Sequence, residues 1–328
     1  MNDRWTWHGG GLTAAKARFA PRADAAWIDL STGINPRPWP GAGDCATDWH
    51  RLPDEQGMRD LEAAAAAHYG ADPDQVCALP GTEIGLRLLG LLLPGEAHVP
   101  HPTYRTHGEM FARSRQVPWH GLAEVEGGTL VIANPNNPDG HLHSRAQLRA
   151  LLARRGAEGW LVVDEAFADC HPAHAIAPEV DDGRRLIVLR SFGKFFGLAG
   201  VRLGFLVAPR PIVAAMRNML GAWPVSAAAI AIGTAACRDA AWITATRARL
   251  TRDRAALDAL LRARGLPPRG ECPLFRLVET GDAHALFRRL ASHGILTRPF
   301  DYDATWLRIG LTADRAELRR LDEALRDD

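Results

Sequence analysis

Long apolar runs are missing from this chain. The longest, around Leu86 to Leu93, is interrupted by Arg87 and is too short to span a bilayer. A membrane partner is therefore not expected. Cysteine is scarce: Cys45, Cys77, Cys170, Cys237 and Cys272 are scattered, odd in number and never spaced as CxxC. That excludes a disulfide framework or a zinc site and fits a reducing cytoplasm. Excess charge is absent too. A formal net charge of +1 gives no bulk attraction for nucleic acid or another polyanion. The opening residues, MNDRWTWHGG, lack the apolar core of a secretion signal. No internal repeat, low-complexity tract or metal-ligand cluster is present. His171 and His174 have a pairing distance, but Pro172 lies between them and breaks the helix that would align them.

What remains is ordinary globular material. With 328 residues, 47% hydrophobic and 23% charged, the chain can bury a large core, most naturally in two domains. Its middle alternates short apolar runs with helical patterns. Strands are expected at Val76–Leu79, Ala97–Val99, Leu130–Ala133, Trp160–Val163, Leu186–Leu189 and Leu203–Ala208. Helices are expected at 58–69, 84–93, 147–155 and 212–220, with a long helical region over 227–264 broken near Arg238-Asp239. This order predicts an open, mostly parallel α/β sheet. Residues 1–29 read as irregular apart from a short strand near Trp27–Leu30. The C-terminal part reads as strands at 272–278, 294–298 and 306–311, closed by an amphipathic helix over 314–326.

Several polar groups interrupt this pattern where chemistry is plausible. Lys194 stands between two apolar strands, flanked by Ser191 and Arg202. Burial would depress its amine and make it nucleophilic toward a carbonyl, while the hydroxyl and guanidinium suit a phosphate. A solvated loop lysine beside a structural arginine fits the same stretch. Gly81-Thr82-Glu83 opens a helix, which offers free N–H groups to an anion or is simply a cap. Asn134-Pro-Asn-Asn137-Pro-Asp139-Gly140 reads as a turn. Asp164 closes an apolar strand, a position suited to ligand contact in an open α/β sheet.

The segment SFGKFFGLAGVRLGF, residues 191–205, resembles the Schiff-base lysine segment of fold-type I pyridoxal 5'-phosphate (PLP) enzymes. It is most similar to histidinol-phosphate aminotransferases and to the threonine-phosphate decarboxylases of cobalamin synthesis. Lys194, Asp164, Asn137, Arg202 and Arg308 follow in the family's order, and the resemblance extends over residues 8–326. It implies a large PLP-binding domain over 30–222 with a mostly parallel central sheet. A smaller α+β domain would combine an N-terminal arm, 1–29, with 223–328. Lys194 would bind the cofactor aldehyde, and Asp164 would keep the pyridine nitrogen protonated. Gly81, Thr82 and Glu83 (mainly through backbone), with Ser191 and Arg202, would hold its phosphate. Tyr104 would stack on the ring, and Asn137 would bond the phenolic oxygen. Arg308 would grip the substrate carboxylate with Asn35 nearby; Arg298 and His8 would serve a second anion.

Two positions depart from the aminotransferase pattern. Leu52 replaces a tyrosine that reaches the neighbouring subunit's cofactor phosphate, and Phe167 replaces a tyrosine that bonds the phenolic oxygen. Asp139 in place of threonine is a tolerable surface change. The run Asp164-Glu165-Ala166-Phe167-Ala168-Asp169, the early His-Gly-Gly and the Ser-x-x-Lys spacing resemble the decarboxylases. The implied activity is PLP-dependent decarboxylation of L-threonine O-3-phosphate to (R)-1-amino-2-propanol O-phosphate by a cytoplasmic homodimer. A histidinol-phosphate-type aminotransferase is the alternative. A non-catalytic binding protein on the same fold would need neither Lys194 nor Asp164.

Overall fold

The computed structural model describes residues 4–19 and 26–326. The chain divides by contact density into two units. One comprises residues 38–137 and 141–244; the other comprises 1–37, 138–140 and 245–328. The expected division lay at 29/30 and 222/223. Residues 1–3, 20–25 and 327–328, which belonged to the expected smaller domain, lie outside the described residues.

The larger unit is built on a sheet that has seven strands among the described residues. Their spatial order is Val76–Leu79, Gly204–Val207, Leu186–Ser191, Leu161–Asp164, Thr129–Ala133, Ala97–His101 and Ser114–Pro118. Neighbours run parallel, except that Gly204–Val207 is antiparallel to both of its partners. The strands Leu161–Asp164 and Leu186–Ser191 are buried along their whole length, as parallel strands covered on both faces must be. That is why they read as continuous apolar runs ending in a polar residue. The mostly parallel α/β sheet is as expected.

Helix limits follow local chemistry. Asp54 caps Glu55–Tyr69 by accepting from the Gly57 N–H at 2.6 Å, and Gly70 ends it in the left-handed region. Ser144 and Gln147 form a capping box at the start of Arg145–Ala153. The helical region after residue 226 is broken at Asp239, where Ala227–Arg238 gives way to Ala240–Ala263. One strand, Ser114–Pro118, was not expected. It is a sheet edge with mostly exposed side chains and carries no apolar alternation.

The smaller unit holds an antiparallel sheet in the order Arg298–Pro299, Trp306–Gly310, Phe275–Glu279. A parallel pair joins Ile28–Asp29 to Ile295–Leu296. The opening residues are more ordered than expected, with helices at Arg4–Trp7 and Leu12–Arg18. Trp5 is buried, with its ring 5.9 Å from Phe19 and 5.9 Å from Phe287, so apolar packing orders a stretch of weak helical periodicity. Among the described residues no helix is long and apolar enough to cross a membrane.

Candidate active site

The parallel strands of the larger unit deliver three polar segments from their carboxyl ends. Asn134 follows Ala133, Asp164 closes its strand, and Ser191 leads into Lys194. Ala133 pairs with Asp164, and Asp164 with Leu189, so the three ends lie side by side. Lys194 itself sits on a one-turn helix, Phe192–Phe195. Four residues do not hold a helix alone. Aromatic packing does it here. The Phe192 ring stacks on Phe196 at 4.6 Å, and Phe196 stacks on Trp242 at 5.6 Å. The Lys194 Nζ lies 5.8 Å from the centre of the Phe167 ring, within range of a cation–π contact.

Asp164 is buried, and each of its oxygens is held. Oδ1 accepts from the Ala166 N–H at 3.0 Å, and Oδ2 lies 2.9 Å from Nε2 of the fully buried His107. Nδ1 of His107 faces the Thr103 hydroxyl at 3.3 Å, and that hydroxyl donates to Asn136 Oδ1 at 2.8 Å. His107 escaped the sequence reading. Its signal was the three-residue spacing from Tyr104, weak among thirteen dispersed histidines. The Tyr104 ring meets His107 edge-on at 5.5 Å, and its hydroxyl donates to Glu83 Oε2 at 2.9 Å. Burial and the Glu83 charge push the Tyr104 phenol up to about 12, so it keeps the proton it donates. Glu83 also accepts from Thr106 at 3.0 Å and from Arg87 at 3.2 Å. The side chain of Glu83 thus fixes the tyrosine. Asn137 is buried in the turn beyond Ala133.

Gly81, Thr82 and Arg202 come together in an arrangement suited to an anion. Gly81 has φ +94°, and a Cβ built there would lie 2.7 Å from Arg202 Nη2. A Cβ at Gly204 would lie 2.8 Å from the Thr82 nitrogen. Only side-chain-free backbone lets the guanidinium and this N–H converge. The helix Thr82–Leu92 has no side-chain cap, so its first turn offers N–H groups and the positive end of its dipole. Ser191 is paired directly with Gly204 across the sheet.

Neighbouring residues point to opposite faces, which gives Asp164-Glu165 and Arg190-Ser191 two jobs each. Arg190 donates to Glu165 at 2.8 Å and to Asp169 at 2.7 Å, and His68 Nε2 lies 2.7 Å from the same Asp169 oxygen. Arg190 also lies 4.3 Å from the centre of the Tyr69 ring. Burial pushes Asp169 up, but Arg190 and His68 outweigh it and hold the carboxyl well below its usual range. For Glu165 burial wins over Arg190, and its value rises. Breaking a buried pair from one side costs about 3–5 kcal/mol, so this cluster anchors the strands that carry the site. The sequence motif showed its acids but not their partners.

The smaller unit holds the other four expected residues. Arg298 and Arg308 are direct partners across an antiparallel pair, and both are buried. Arg308 donates to the Ser31 carbonyl at 2.6 Å and lies 4.9 Å from the Phe275 ring centre. Arg298 donates to the Trp7 carbonyl at 3.1 Å. Burial, reinforced by Arg298, pushes the Arg308 guanidinium down to about 9. Like charges placed opposite in a sheet repel, so an anion received here would be strongly favoured. Ser31 also ties down the arm, because its hydroxyl accepts from the Gly10 N–H at 2.7 Å. Asn35 is buried, and its Oδ1 accepts from Arg249 at 2.9 Å and from the Arg37 N–H at 3.1 Å. His8 is exposed, its ring edge-on to Trp7 at 6.2 Å.

A family model for class I and II aminotransferases matches residues 43–325. The chain is 43% identical over 326 residues to a threonine-phosphate decarboxylase of Sinorhizobium sp, covering 97% of each chain. It is 41% identical to a threonine-phosphate decarboxylase of Pseudomonas aeruginosa, over 97% of this chain and 96% of that one. In fold it is similar to the histidinol-phosphate aminotransferase of Sinorhizobium meliloti solved with pyridoxal-5'-phosphate. That match has a TM-score of 0.81 at 22% identity, over 97% of this chain and 95% of that one.

The donor set of the larger unit fits such a cofactor. A phosphate suits the cradle of Gly81, Thr82 and Arg202, where a β-carbon on either glycine would intrude. A protonated ring nitrogen suits a buried carboxylate already oriented by a histidine. An aldehyde suits Lys194, the larger unit's single lysine, whose Nζ lies over an aromatic face.

Proposed function

The chain belongs to the class I and II aminotransferase family, and from that premise we propose that it decarboxylates L-threonine O-3-phosphate with pyridoxal 5'-phosphate as cofactor. The likeness over nearly the whole length to two threonine-phosphate decarboxylases carries this reading. The product is (R)-1-amino-2-propanol O-phosphate, a precursor of the cobalamin side chain.

When bound, the cofactor supplies an electron sink for the pair left behind at the substrate α-carbon. The protein's residues do the rest. Lys194 would hold the aldehyde carbon through its amine, which lies against the Phe167 ring. Asp164 holds a proton on the pyridine nitrogen, and His107 keeps the carboxylate oriented. Gly81, Thr82, Ser191 and Arg202 bind the phosphate. Glu83 would contribute its backbone there and fixes Tyr104, which would stack on the ring; Asn137 would bond the phenolic oxygen. Phe167 gives Lys194 an apolar neighbour with no hydroxyl to pass a proton.

Which α-carbon bond breaks depends on how the substrate's two anionic ends are gripped. Arg308, assisted by Asn35, takes the carboxylate; Arg298 and His8 take the phosphate. Lysine lacks the planar fork of a guanidinium. Arg308→Lys is therefore expected mainly to raise KM, by about 10- to 100-fold, with a smaller fall in kcat from the looser orientation of the carboxylate. Steady-state kinetics on O-phospho-L-threonine check this, and an unchanged KM would remove Arg308 from substrate binding.

A homodimer in the cytoplasm is the proposed working form. Trp49, Leu52 and Trp223 are large, exposed apolar residues of the larger unit, at 76%, 66% and 58% exposure, which suits association. Cys45, Cys77, Cys170, Cys237 and Cys272 are all free thiols, in keeping with a reducing compartment.

The deciding assay offers O-phospho-L-threonine alone, then histidinol phosphate with 2-oxoglutarate. Carbon dioxide and aminopropanol phosphate are expected from the first. Glutamate from the second without carbon dioxide from the first would replace the decarboxylase reading with an aminotransferase.

A further inference from the structure

His68 lies outside the set of residues proposed to touch cofactor or substrate, yet two of its contacts lead toward Lys194. It sits near the end of the helix Glu55–Tyr69, almost fully buried. Nε2 lies 2.7 Å from Asp169 Oδ1, and the ring packs edge-on against Phe196 at 5.7 Å.

The first contact runs through acids. Glu165 and Asp169 stand two residues to either side of Phe167, and both are bonded to Arg190. Their anchoring fixes the short stretch that carries the Phe167 ring, the surface beneath the Lys194 amine. The second contact runs through rings. Phe192 and Phe196 stand two residues to either side of Lys194 and stack on each other. Because a single helical turn does not hold itself, that stack determines where the lysine sits. His68 touches both routes.

We infer that His68 is a positioning residue for Lys194, tying the Phe167 segment to the aromatic stack so that the amine stays against the Phe167 ring. The inference rests on Lys194 being the cofactor-bonding lysine. Loosening either route lets the amine turn toward water, where its charged form is favoured. The charged and titratable groups around His68 are Asp169, with Arg190 and Glu165 behind it, and Tyr69 beside it at 5.0 Å between ring centres. Burial, reinforced by the Asp169 charge, pushes up the thiol of Cys237, from Ala227–Arg238.

The test compares wild type with His68→Leu and His68→Gln, each confirmed as folded by its thermal melt. Two midpoints are read. One is the pH dependence of the visible band of the lysine-bound cofactor. The other is the pH dependence of Lys194 acetylation by acetic anhydride in the cofactor-stripped full chain, mapped by peptide mass. In His68→Leu both midpoints are expected to rise by about half a pH unit or more. The kcat should fall about tenfold with KM nearly unchanged. His68→Gln retains a donor for Asp169 and should shift less. Unchanged midpoints in folded His68→Leu would overturn the proposal even if the melting temperature dropped, because the histidine would then serve stability alone. Should the leucine variant not fold, His68→Gln and Phe196→Leu decide: a rise in either supports the inference, and no rise in both overturns it. Borohydride labelling on a different lysine would instead defeat the assignment of Lys194 itself.

Discussion

Lys194→Ala is expected to yield a folded protein without the visible band of lysine-bound cofactor and with turnover lowered on the order of 10⁴-fold or more, the scale seen when a covalent catalyst is deleted. The larger unit holds no other lysine. Phe192, Phe195, Phe196 and Phe167 are all buried, and the guanidinium of Arg202 is bonded to the Ala199 carbonyl at 3.1 Å and lies close to Gly81. Some cofactor should still bind noncovalently, because the phosphate cradle is untouched. Absorbance spectra, borohydride reduction and peptide mapping of the wild type check this. A label on any other lysine, or a variant that keeps the band, would refute the assignment.

Asp164→Asn has the second largest expected effect. The amide nearly matches the carboxylate in shape, so the Ala166 N–H keeps an acceptor and the melting temperature should change by only a few degrees. Cofactor content should be largely retained. The kcat should fall about 10²- to 10⁴-fold, because a neutral amide no longer holds a proton on the ring nitrogen. His107 would face a changed partner, but its burial against Thr103 and Tyr104 keeps it in place. Near-wild-type kcat in a cofactor-loaded variant would exclude Asp164 from the chemistry.

These two residues were legible in the sequence for the same reason. A strand buried on both faces reads as an apolar run, so a polar residue at its carboxyl end, as Asp164, or just beyond it, as Lys194, stands out. Glycine near Thr82 was legible as a helix entry, although the sequence could not show that Arg202 comes within reach of it. Other features depended on partners far away along the chain. His68 meets Asp169 across 101 residues, and Arg308 meets Ser31 across 277, and no local pattern encodes either. Ser114–Pro118 was invisible because an exposed edge needs neither alternation nor an apolar run. The opening helices were hidden for a related reason: Trp5 gains its structure from Phe287. Where the contact-based division falls at 244/245, it lies inside the continuous helix Ala240–Ala263, and a chain that stays helical carries no linker signal.

The pairing of Ile28–Asp29 with Ile295–Leu296 has a consequence for how the protein is made. A ribosome must add roughly 270 residues after Ile28 before its partner strand exists, which at about 5–20 residues per second takes roughly 15–50 s. The Leu30 N–H bonds to the Leu296 carbonyl, and the Leu30 carbonyl waits longer still for the Gly310 N–H. Throughout that interval Ile28 and Leu30, both buried in the finished protein, are exposed on the nascent chain. The larger unit needs only residues up to 244 and is synthesised in full well before this. The segment around Ile28 is therefore seated later than the larger unit can form, and the Ser31 carbonyl that holds Arg308 meets its partner only after a further 277 residues have been added.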